Sequence, residues 1–558
     1  MKFRIPPSSP VPTRPSAGIR RSPTWILLAL ALASWILSSF RDIAWTHSKP
    51  IELRCKQLPW LRTTHSANNQ LQANITDAVE HLSEAIQVRT ESFDVESQLN
   101  GTAFIQFHNL VARLYPKTHL LLERKVVANY SLLYTWKGSD EFAPPLMLMA
   151  HIDVVPVLPE TAGSWKYDPF SGFVDEENGY LWGRGSADTK ATLIGILEAV
   201  EGLIESGFTT PKRTLYLGFG HDEESFGHGA MAIADYMEND LGLAGKIGMI
   251  VDEGSGISEF EGLSMALVAV SEKGYVDVDI IVETSGGHSS VPPLHTGIGF
   301  SALLINALES ASFPILLSNE NAFLGTLACY TEHHPLPDPF LKWAIENLPG
   351  SRKALRKYLS KRADTRNLLS TSQAVTVIRG GLKVNALPEK VVATVNHRIS
   401  VDSALKDVET HYIDVLGKVV EKYRLDLTVQ EFGGSGQVAW KKSWGAKATG
   451  NVTIVPKMSL EPSPISPFND ADDLAWAVLE GTIHGVFDDG SKDGQVIVSS
   501  FLMDGNTDTK SMWALSKKIY RFSPCHGEKI HTVDEHVLIS SFLDGIAFYR
   551  ELIHNWNK

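Results

Sequence analysis

The amino-acid sequence predicts an α/β protein with a mostly parallel central sheet and an inserted α+β domain, preceded by a transmembrane helix. Three observations indicate this. From residue 144 onward, continuous apolar runs alternate with amphipathic helical segments, as in parallel strands covered on both faces. From residue 271 onward, strand-like segments alternate apolar and polar residues around two helical segments, as in a half-exposed antiparallel sheet. An apolar run near the N-terminus predicts the membrane helix.

The chain has 558 residues, too many for one ordinary hydrophobic core, so more than one domain is expected. Residues 313–370 are helical and charged, and we interpret them as an insertion within the second domain. The full division is a cytosolic tail at 1–24, a transmembrane signal-anchor at 25–41, a stalk at 42–75, the first segment of the catalytic domain at 76–270, an inserted lid or dimerisation domain at 271–450, and the second segment of the catalytic domain at 451–558.

The N-terminal apolar run extends from Trp25 to Phe40, which is roughly 24 Å as a helix. Basic residues precede it and no acidic residue occurs before Asp42, so the positive-inside rule places the N-terminus in the cytosol. A cleaved signal peptide and a buried helix are the alternatives. The anchor predicts a single-pass protein of the secretory or vacuolar pathway with a lumenal body, in the vacuole lumen if the anchor is clipped.

Glycosylation sequons support a lumenal body, and the acceptors are Asn74, Asn100, Asn129 and Asn451. The net charge of −13 argues against a nucleic-acid partner, which would require a broad basic face. The three cysteines, Cys55, Cys329 and Cys525, show no CxxC spacing, so a cysteine-built metal site is not expected. One disulfide is possible, but its pairing is open.

Histidine and carboxylate residues follow the apolar runs where strands are predicted to end. His151 and Asp153 follow the first run, and Asp188 follows a glycine-containing turn. Two adjacent pairs follow later runs, Glu223–Glu224 and Asp252–Glu253. Because functional groups gather beyond the carboxyl ends of parallel strands, this pattern predicts a hydrolytic metal site at one sheet edge.

The motifs resemble the di-zinc aminoacylase/carboxypeptidase family of metallopeptidases, and most closely its fungal vacuolar carboxypeptidase S (Gly-Xaa carboxypeptidase) branch. The resemblance covers residues 146–535. It is carried by MAHIDVVPV, W-x-x-DPFSG, LWGRGSADTK, GHDEESFGHGA, VDEG, SEKG, GGHSSVPP, N-x-x-P at Asn385, HRIS, G-N-T-D at Gly505 and IHTVDE. It implies a zinc-peptidase catalytic domain carrying an inserted lid.

The resemblance also implies two Zn²⁺ ions per subunit, with Co²⁺ or Mn²⁺ possible for the same donors. His151 would bind the first ion, together with Asp252 or, in our preference, Glu253. Asp188 would bridge both ions, and Glu224 and His531 would complete the second. Glu223 would be the general base and Asp153 would support His151.

Three residues of the inserted domain receive roles from the resemblance. His288 would stabilise the carbonyl oxygen in the transition state, often from a partner subunit, so a homodimer is possible. Asn385 and Arg398 would bind the substrate's terminal carboxylate. The sequence departs from many relatives by reading H-T-V-D-E at residues 531–535, and His526 is a rival metal ligand.

The predicted function is therefore a zinc metallo-carboxypeptidase acting on the C-terminal peptide bond of small peptides. An N-acyl-amino-acid hydrolase or synthase is the first alternative, because its substrates are also amides with a free carboxylate. A non-catalytic binding ectodomain is the second alternative, which a complete set of ligands and a base argues against.

Overall fold

The computed structural model describes residues 53–61, 68–94, 98–488 and 495–558. The predicted tail, the transmembrane segment and some of the predicted stalk lie outside these residues. In the described ranges of the chain, no helix is both long enough and apolar enough to cross a membrane.

The helices, numbered in chain order, are α1 Asn68–Gln87, α2 Gly101–Leu114, α3 Pro116–Leu121, α4 Pro159–Ala162, α5 Ala191–Glu205, α6 His228–Asp235, α7 Gly297–Glu309, α8 Ala322–His333, α9 Pro339–Glu346, α10 Arg352–Leu359, α11 Ala363–Leu369, α12 Leu405–Tyr423, α13 Leu474–Phe487 and α14 Ile539–Trp556. The strands are β1 Glu123–Val127, β2 Ser131–Trp136, β3 Leu146–His151, β4 Phe173–Asp175, β5 Tyr180–Trp182, β6 Leu215–Gly220, β7 Met249–Ser255, β8 Ile257–Phe260, β9 Leu263–Glu272, β10 Gly274–Glu283, β11 Gly287–His288, β12 Ala374–Gly380, β13 Ala386–Leu387, β14 Lys390–Ile399, β15 Asp426–Gln430, β16 Val438–Lys442, β17 Asn451–Leu460, β18 Ile497–Met503, β19 Ile519–Phe522, β20 Gly527–Glu528 and β21 His536–Leu538.

The sheet of the predicted catalytic domain, called the catalytic sheet, has the strand order β1-β2-β6-β3-β7-β19-β9-β18, with β8 paired to β9. The neighbours β6, β3, β7 and β19 run parallel, as do β9 and β18. The pairs β1–β2, β2–β6, β19–β9 and β8–β9 are antiparallel. The sheet is therefore mixed, and the prediction of a mostly parallel sheet is correct only for its centre.

Strands β1 and β2 form an antiparallel hairpin, which explains the antiparallel margin of the sheet. Ala128 and Asn129 adopt positive φ angles of 45° and 70° and reverse the chain between β1 and β2. Such a turn depends on the backbone dihedral angles of two residues, which the apolar pattern of the segment does not indicate.

Strand β3 lies at the centre of the catalytic sheet and is buried along its whole length. Leu146, Leu148 and Ala150 pack into one core with α5 and α14, whereas Met147 and Met149 pack into another with α6. Because alternate residues of a strand point to opposite faces, this division shows that both faces are covered. The strand therefore delivers His151 from a rigid core.

A second sheet, of order β12-β14-β10-β17-β15-β16, forms the inserted domain. Buried and half-exposed residues alternate along β10 and β14, so one face packs against α7 and α12 and the other does not. Strand β17 at Asn451–Leu460 pairs with β10, so this sheet extends ten residues beyond the predicted boundary at 450. The predicted insertion at 313–370 contains helices α8–α11, which form a core with Leu502 of the catalytic sheet.

Residues 53–61 of the predicted stalk are attached to the catalytic domain. Cys55 forms a disulfide with Cys329 of α8. The Gln57 amide donates to the Val498 carbonyl (3.0 Å) and accepts from the Val498 N–H (2.7 Å), which satisfies some of the polar groups of the edge strand β18. The Leu61 N–H donates to the Gly481 carbonyl (2.8 Å). Polar partners along an edge strand reduce unwanted strand pairing.

Removing the disulfide with the double substitution Cys55→Ser, Cys329→Ala should lower the free energy of unfolding by about 2–5 kcal/mol, because the bond joins residues separated by 274 positions. Urea unfolding monitored by tryptophan fluorescence measures this. Reductant should shift the wild-type midpoint in the same direction and leave the variant unchanged. A wild-type midpoint insensitive to both treatments would contradict the prediction.

Candidate active site

The His151 ring ends β3 and is almost completely buried, with 1% of its surface exposed. Its Nδ1 lies 2.9 Å from the Asp153 carbonyl oxygen, which favours a proton on that nitrogen. Its Nε2 lies 3.2 Å from Asp188 Oδ1 and 3.3 Å from Glu253 Oε1. The second nitrogen is thus directed toward two carboxylates, as in a metal-binding histidine whose tautomer is set by a backbone acceptor.

The buried Asp153 carboxylate joins the loops that carry the site. It accepts hydrogen bonds from Ser92 Oγ (2.6 Å) and from the backbone N–H groups of Glu223 and Glu224 (3.1 Å each). Burial opposes ionisation, but the His151 side chain and these donors lower the pKa of Asp153. The geometry agrees with a supporting role, because Asp153 positions the glutamates and His151 together.

The second group of candidate ligands converges on His531. Its Nε2 lies 3.0 Å from Asp188 Oδ2 and 2.9 Å from Glu224 Oε1. His531 lies between β20 and β21 with a left-handed backbone conformation (φ 60°). The Glu535 carboxylate accepts from the backbone N–H of Asp188 (3.2 Å) and so holds the turn that presents it. Asp188 therefore directs one oxygen toward each histidine.

Of the pair after β7, the structure brings Glu253 and not Asp252 to the ligand group. Asp252 is buried, its Oδ1 accepts from the Glu253 N–H (2.9 Å), and its Oδ2 has no hydrogen-bond partner among the described residues. Adjacent residues of a strand point to opposite faces, so only one of the two can face His151.

The donor set fits two divalent metal ions. His151 Nε2 lies about 3 Å from Asp188 and Glu253, and His531 Nε2 lies about 3 Å from Asp188 and Glu224. The possible donor atoms of His151, Asp188 and Glu224 all lie within 4.8 Å of one another, as do those of His151, Glu223 and Glu253. Four donors around one zinc ion at about 2.1 Å are separated by roughly 3.4 Å, so small shifts would complete either site. Imidazole nitrogens and carboxylate oxygens are the donors that such ions accept.

In the metal-free protein, burial and the charges of neighbouring groups shift the pKa values of these residues. Hydrogen bonds from His531 to Asp188 and Glu224 raise the pKa of His531 to about 10. Burial raises the pKa of Glu253 to about 8. Burial also raises the pKa of Glu223 well above its ordinary value, with the charges of Glu253 and Asp508 adding to the effect and His151 opposing it.

Metal binding should therefore release protons and strengthen with pH. His531 and Glu253 carry protons at about pH 7 in the metal-free protein, because their pKa values are about 10 and about 8. Both must lose them to act as ligands, so affinity should fall as pH decreases from about 8 to about 6. Calorimetric titration with Zn²⁺ in buffers of different ionisation enthalpy measures the protons released. Equal heats in all buffers and a pH-independent affinity would contradict this.

A cavity of about 350 Å³ opens onto the two groups and is lined by Asp188, Glu223, Glu224, Glu253 and His531. Apolar contributions come from Ile257, Met503 and Ile530. The Glu223 side chain makes no hydrogen bond to another described residue. Its carboxylate therefore faces a space that water and a small substrate could share with the ligand groups.

The remaining predicted residues lie outside this constellation. His288 and Asn385 are exposed on the inserted domain beside the β11–β13 pair, and neither lines the cavity. Arg398 does not line it either, but its guanidinium contacts Asn506, which does. His526 lines the cavity without a contact to the ligand groups.

Asn100, Asn129 and Asn451 are exposed, and the Asn74 side chain lies outside the described residues.

Several residues of the site received no role from the sequence, among them Ser92, Glu535, Asn506 and Asp508. Asp508 is buried behind the site, and neither of its carboxylate oxygens has a hydrogen-bond partner in the described ranges. Asn506 and Asp508 belong to the phrase G-N-T-D and Glu535 to IHTVDE, so motif matching located both segments. It could not assign functions, because these depend on contacts between distant loops.

The chain is similar to known peptidases. The profile of peptidase family M20/M25/M40 matches residues 147–555. Carboxypeptidase S of Saccharomyces cerevisiae is 38% identical over 82% of this chain and 79% of its own length. The N-fatty-acyl-amino acid synthase/hydrolase of Xenopus tropicalis is 32% identical over 91% of each chain. The structure of an M20 family metallo-carboxypeptidase of Sulfolobus solfataricus superimposes with a TM-score of 0.58 and 16% identity, covering 86% of this chain and 99% of that one, and supports the fold.

Proposed function

Because the chain belongs to peptidase family M20/M25/M40, we propose that it is a zinc metallo-carboxypeptidase that removes the C-terminal residue of small peptides. The observation that carries the proposal is the Glu223 carboxylate, which lines the same cavity as the metal-donor carboxylates and lies within 4.8 Å of donor atoms of His151 and Glu253. The similarity to carboxypeptidase S over most of both chains supports this substrate class.

Zinc suits the imidazole and carboxylate donors, and Co²⁺ or Mn²⁺ would accept the same set. When bound, the ions would polarise the scissile carbonyl and acidify water. His151, Asp188 and Glu253 would hold one ion, and Asp188, Glu224 and His531 the other.

The chain's own residues then perform the proton transfers and the positioning. Glu223 accepts a proton from the attacking water and donates it to the leaving amine. Asp153 fixes the His151 ring and the backbone of Glu223 in one hydrogen-bonded unit. Arg398 receives the terminal carboxylate of the substrate through its planar guanidinium.

A substrate panel tests the proposal. Metal-loaded protein should hydrolyse a blocked dipeptide with a free C-terminus, and a chelator should abolish this until Zn²⁺ is restored. A fatty-acyl amino acid tests the N-acyl-amino-acid hydrolase or synthase, which the similarity to the Xenopus enzyme favours as second candidate. Hydrolysis of the acyl amino acid alone would replace the first proposal with the second.

We also propose a homodimer in which His288 acts in the partner's cavity. His288 is exposed and does not line the cavity of its own chain. Nearby, β12 is an edge of the second sheet among the described strands, and Ile378, Leu382 and Val384 expose apolar side chains. These features support pairing of two inserted domains.

Mixing two inactive variants tests the dimer. Glu223→Gln and His288→Ala subunits, combined and allowed to exchange, should recover up to about a quarter of the wild-type activity, because one of the two sites in each mixed dimer has both residues. Sedimentation verifies the dimer. Mixed dimers without activity would contradict the sharing of His288.

For location, we propose a single-pass membrane protein of the secretory or vacuolar pathway with a lumenal body. The Cys55–Cys329 disulfide supports an oxidising compartment, and exposed Asn100, Asn129 and Asn451 are accessible sequons. Detergent-dependent extraction and a mobility shift after N-glycan removal are expected. A freely soluble, unglycosylated product would overturn the location.

A further inference from the structure

Asn506 occupies the boundary between two cavities. It lines the catalytic cavity, whereas the adjacent residues Asp504 and Gly505 line a second cavity of about 910 Å³. Arg398 and Lys273 lie on the wall of that second cavity. The loop after β18 therefore separates the metal-donor groups from the space into which Arg398 faces. A substrate that spans both spaces must pass beside Asn506.

The Asn506 amide accepts one hydrogen bond and donates another. Its Oδ1 accepts from Arg398 Nη1 (3.0 Å), and its Nδ2 donates to the Lys273 carbonyl (2.6 Å). Lys273 lies between β9 of the catalytic sheet and β10 of the inserted domain. Guanidinium only donates and a backbone carbonyl only accepts, so the two contacts require a side chain that offers both functions. A carboxylate or an apolar side chain cannot replace this amide.

Arg398 has no carboxylate partner within ion-pair distance among the residues that the structure describes. Its guanidinium carbon lies 4.9 Å from the centre of the Tyr275 ring, and Asn506 supplies its side-chain hydrogen bond. An arginine has five N–H donors, so most remain available. The group is thus oriented by a neutral partner and a ring, which leaves its charge for a ligand.

We propose that Asn506 is a positioning residue that aims the Arg398 guanidinium at the C-terminal carboxylate of the substrate and thereby determines the requirement for a free carboxylate. The inference rests on the proposed function. Asn506 links the catalytic loop, the junction between the two sheets and the inserted domain, so the distance from Arg398 to the metal-donor groups depends on it. The cavity of about 910 Å³ provides space for the leaving residue beside that carboxylate.

Kinetics with matched substrates test this role. For a blocked dipeptide with a free carboxylate, Asn506→Ala should raise KM about 10-fold with little change in kcat, because a hydrogen bond to a charged group is lost. The same peptide with a C-terminal amide should react equally with both proteins. Asn506→Asp should raise KM for the acid further, because its carboxylate would occupy Arg398 and could not donate to Lys273. Asn239→Ala, an exposed asparagine elsewhere, is the matched control and should match the wild type.

A double-mutant cycle separates positioning from a merely structural role. If Asn506 acts through Arg398, Asn506→Ala should add nothing to Arg398→Ala. Additive effects, or an equal loss on acid and amide substrates, would overturn the inference.

Binding provides a readout that does not depend on turnover. Calorimetric titration of L-leucine into metal-loaded protein should show a Kd about 10-fold higher for Asn506→Ala than for the wild type. Equal affinities or no binding to the wild type would overturn the role of Asn506. Wild-type protein that binds metal and L-leucine but hydrolyses no substrate would instead overturn the proposed function.

Discussion

Glu223→Gln should lower kcat/KM by about 10²–10⁴-fold, because the amide retains the shape of the side chain but cannot accept the proton of the attacking water. The loss should appear mainly in kcat, since Glu223 is needed for the proton transfers and Arg398 would still bind the carboxylate. Steady-state kinetics on a blocked dipeptide measure both parameters.

Metal content distinguishes a lost base from a lost ligand. A Glu223 carboxylate oxygen lies within 4.8 Å of donor atoms of His151 and Glu253, but Glu223 makes none of the contacts of about 3 Å that join these residues to Asp188, Glu224 and His531. As a base rather than a ligand, it should leave the metal content at the wild-type value when replaced in Glu223→Gln. Glu176→Gln, a change at an exposed carboxylate, is the control and should be fully active. Near-normal turnover by metal-loaded Glu223→Gln would remove this residue from the mechanism.

Asp188→Ala should abolish activity by preventing assembly of the metal site. Asp188 is the carboxylate shared by the two groups, with oxygens 3.2 Å from His151 Nε2 and 3.0 Å from His531 Nε2. Loss of a residue that merely supports a metal ligand weakens affinity by about 10–100-fold, so loss of a direct ligand to both ions should exceed that. Metal analysis after dialysis should find less than the wild-type content.

The matching substitution Asp188→Asn distinguishes the loss of the donor oxygens from an effect on folding. It keeps the side-chain volume but removes the negative charge, so it should weaken metal binding less than Asp188→Ala while remaining severely impaired. Circular dichroism should show that both variants fold. Full metal content and activity in Asp188→Ala would show that Asp188 does not bridge the two ions.

The residues at the strand ends could be predicted from the sequence, because the backbone pattern alone places them. His151 ends β3, and Glu223 and Glu224 follow β6 by a short turn, so both reach the same sheet edge. Parallel pairing of β3 with β6 and β7 brings these ends together without any long loop. The choice between Asp252 and Glu253 required the structure. Successive side chains of β7 point to opposite faces of the sheet, and the sequence of two adjacent acids does not show which one faces His151.

One of the other differences has a local cause, and two arise from contacts between distant segments. The hairpin at Ala128 and Asn129 depends on backbone angles that an apolar pattern does not encode. The boundary after residue 450 moved because β17 pairs with β10, and the predicted stalk is attached because Cys55 reaches Cys329. Each of the last two is a pairing between distant segments, and such pairings depend on packing of the whole chain.

The sequence by itself determined the family, the order of strands and helices around the catalytic centre, and the residue types that a two-metal hydrolase requires. These properties depend on local periodicity and on short motifs. Only the tertiary structure decided which atoms meet. It placed His531 2.9 Å from Glu224 across 307 positions, kept His288 out of its own cavity, and joined Asn506 to both Arg398 and Lys273. The reason is physical: hydrogen bonds and metal donors act over about 3 Å, and such contacts between loops remote in sequence arise only when both sheets pack.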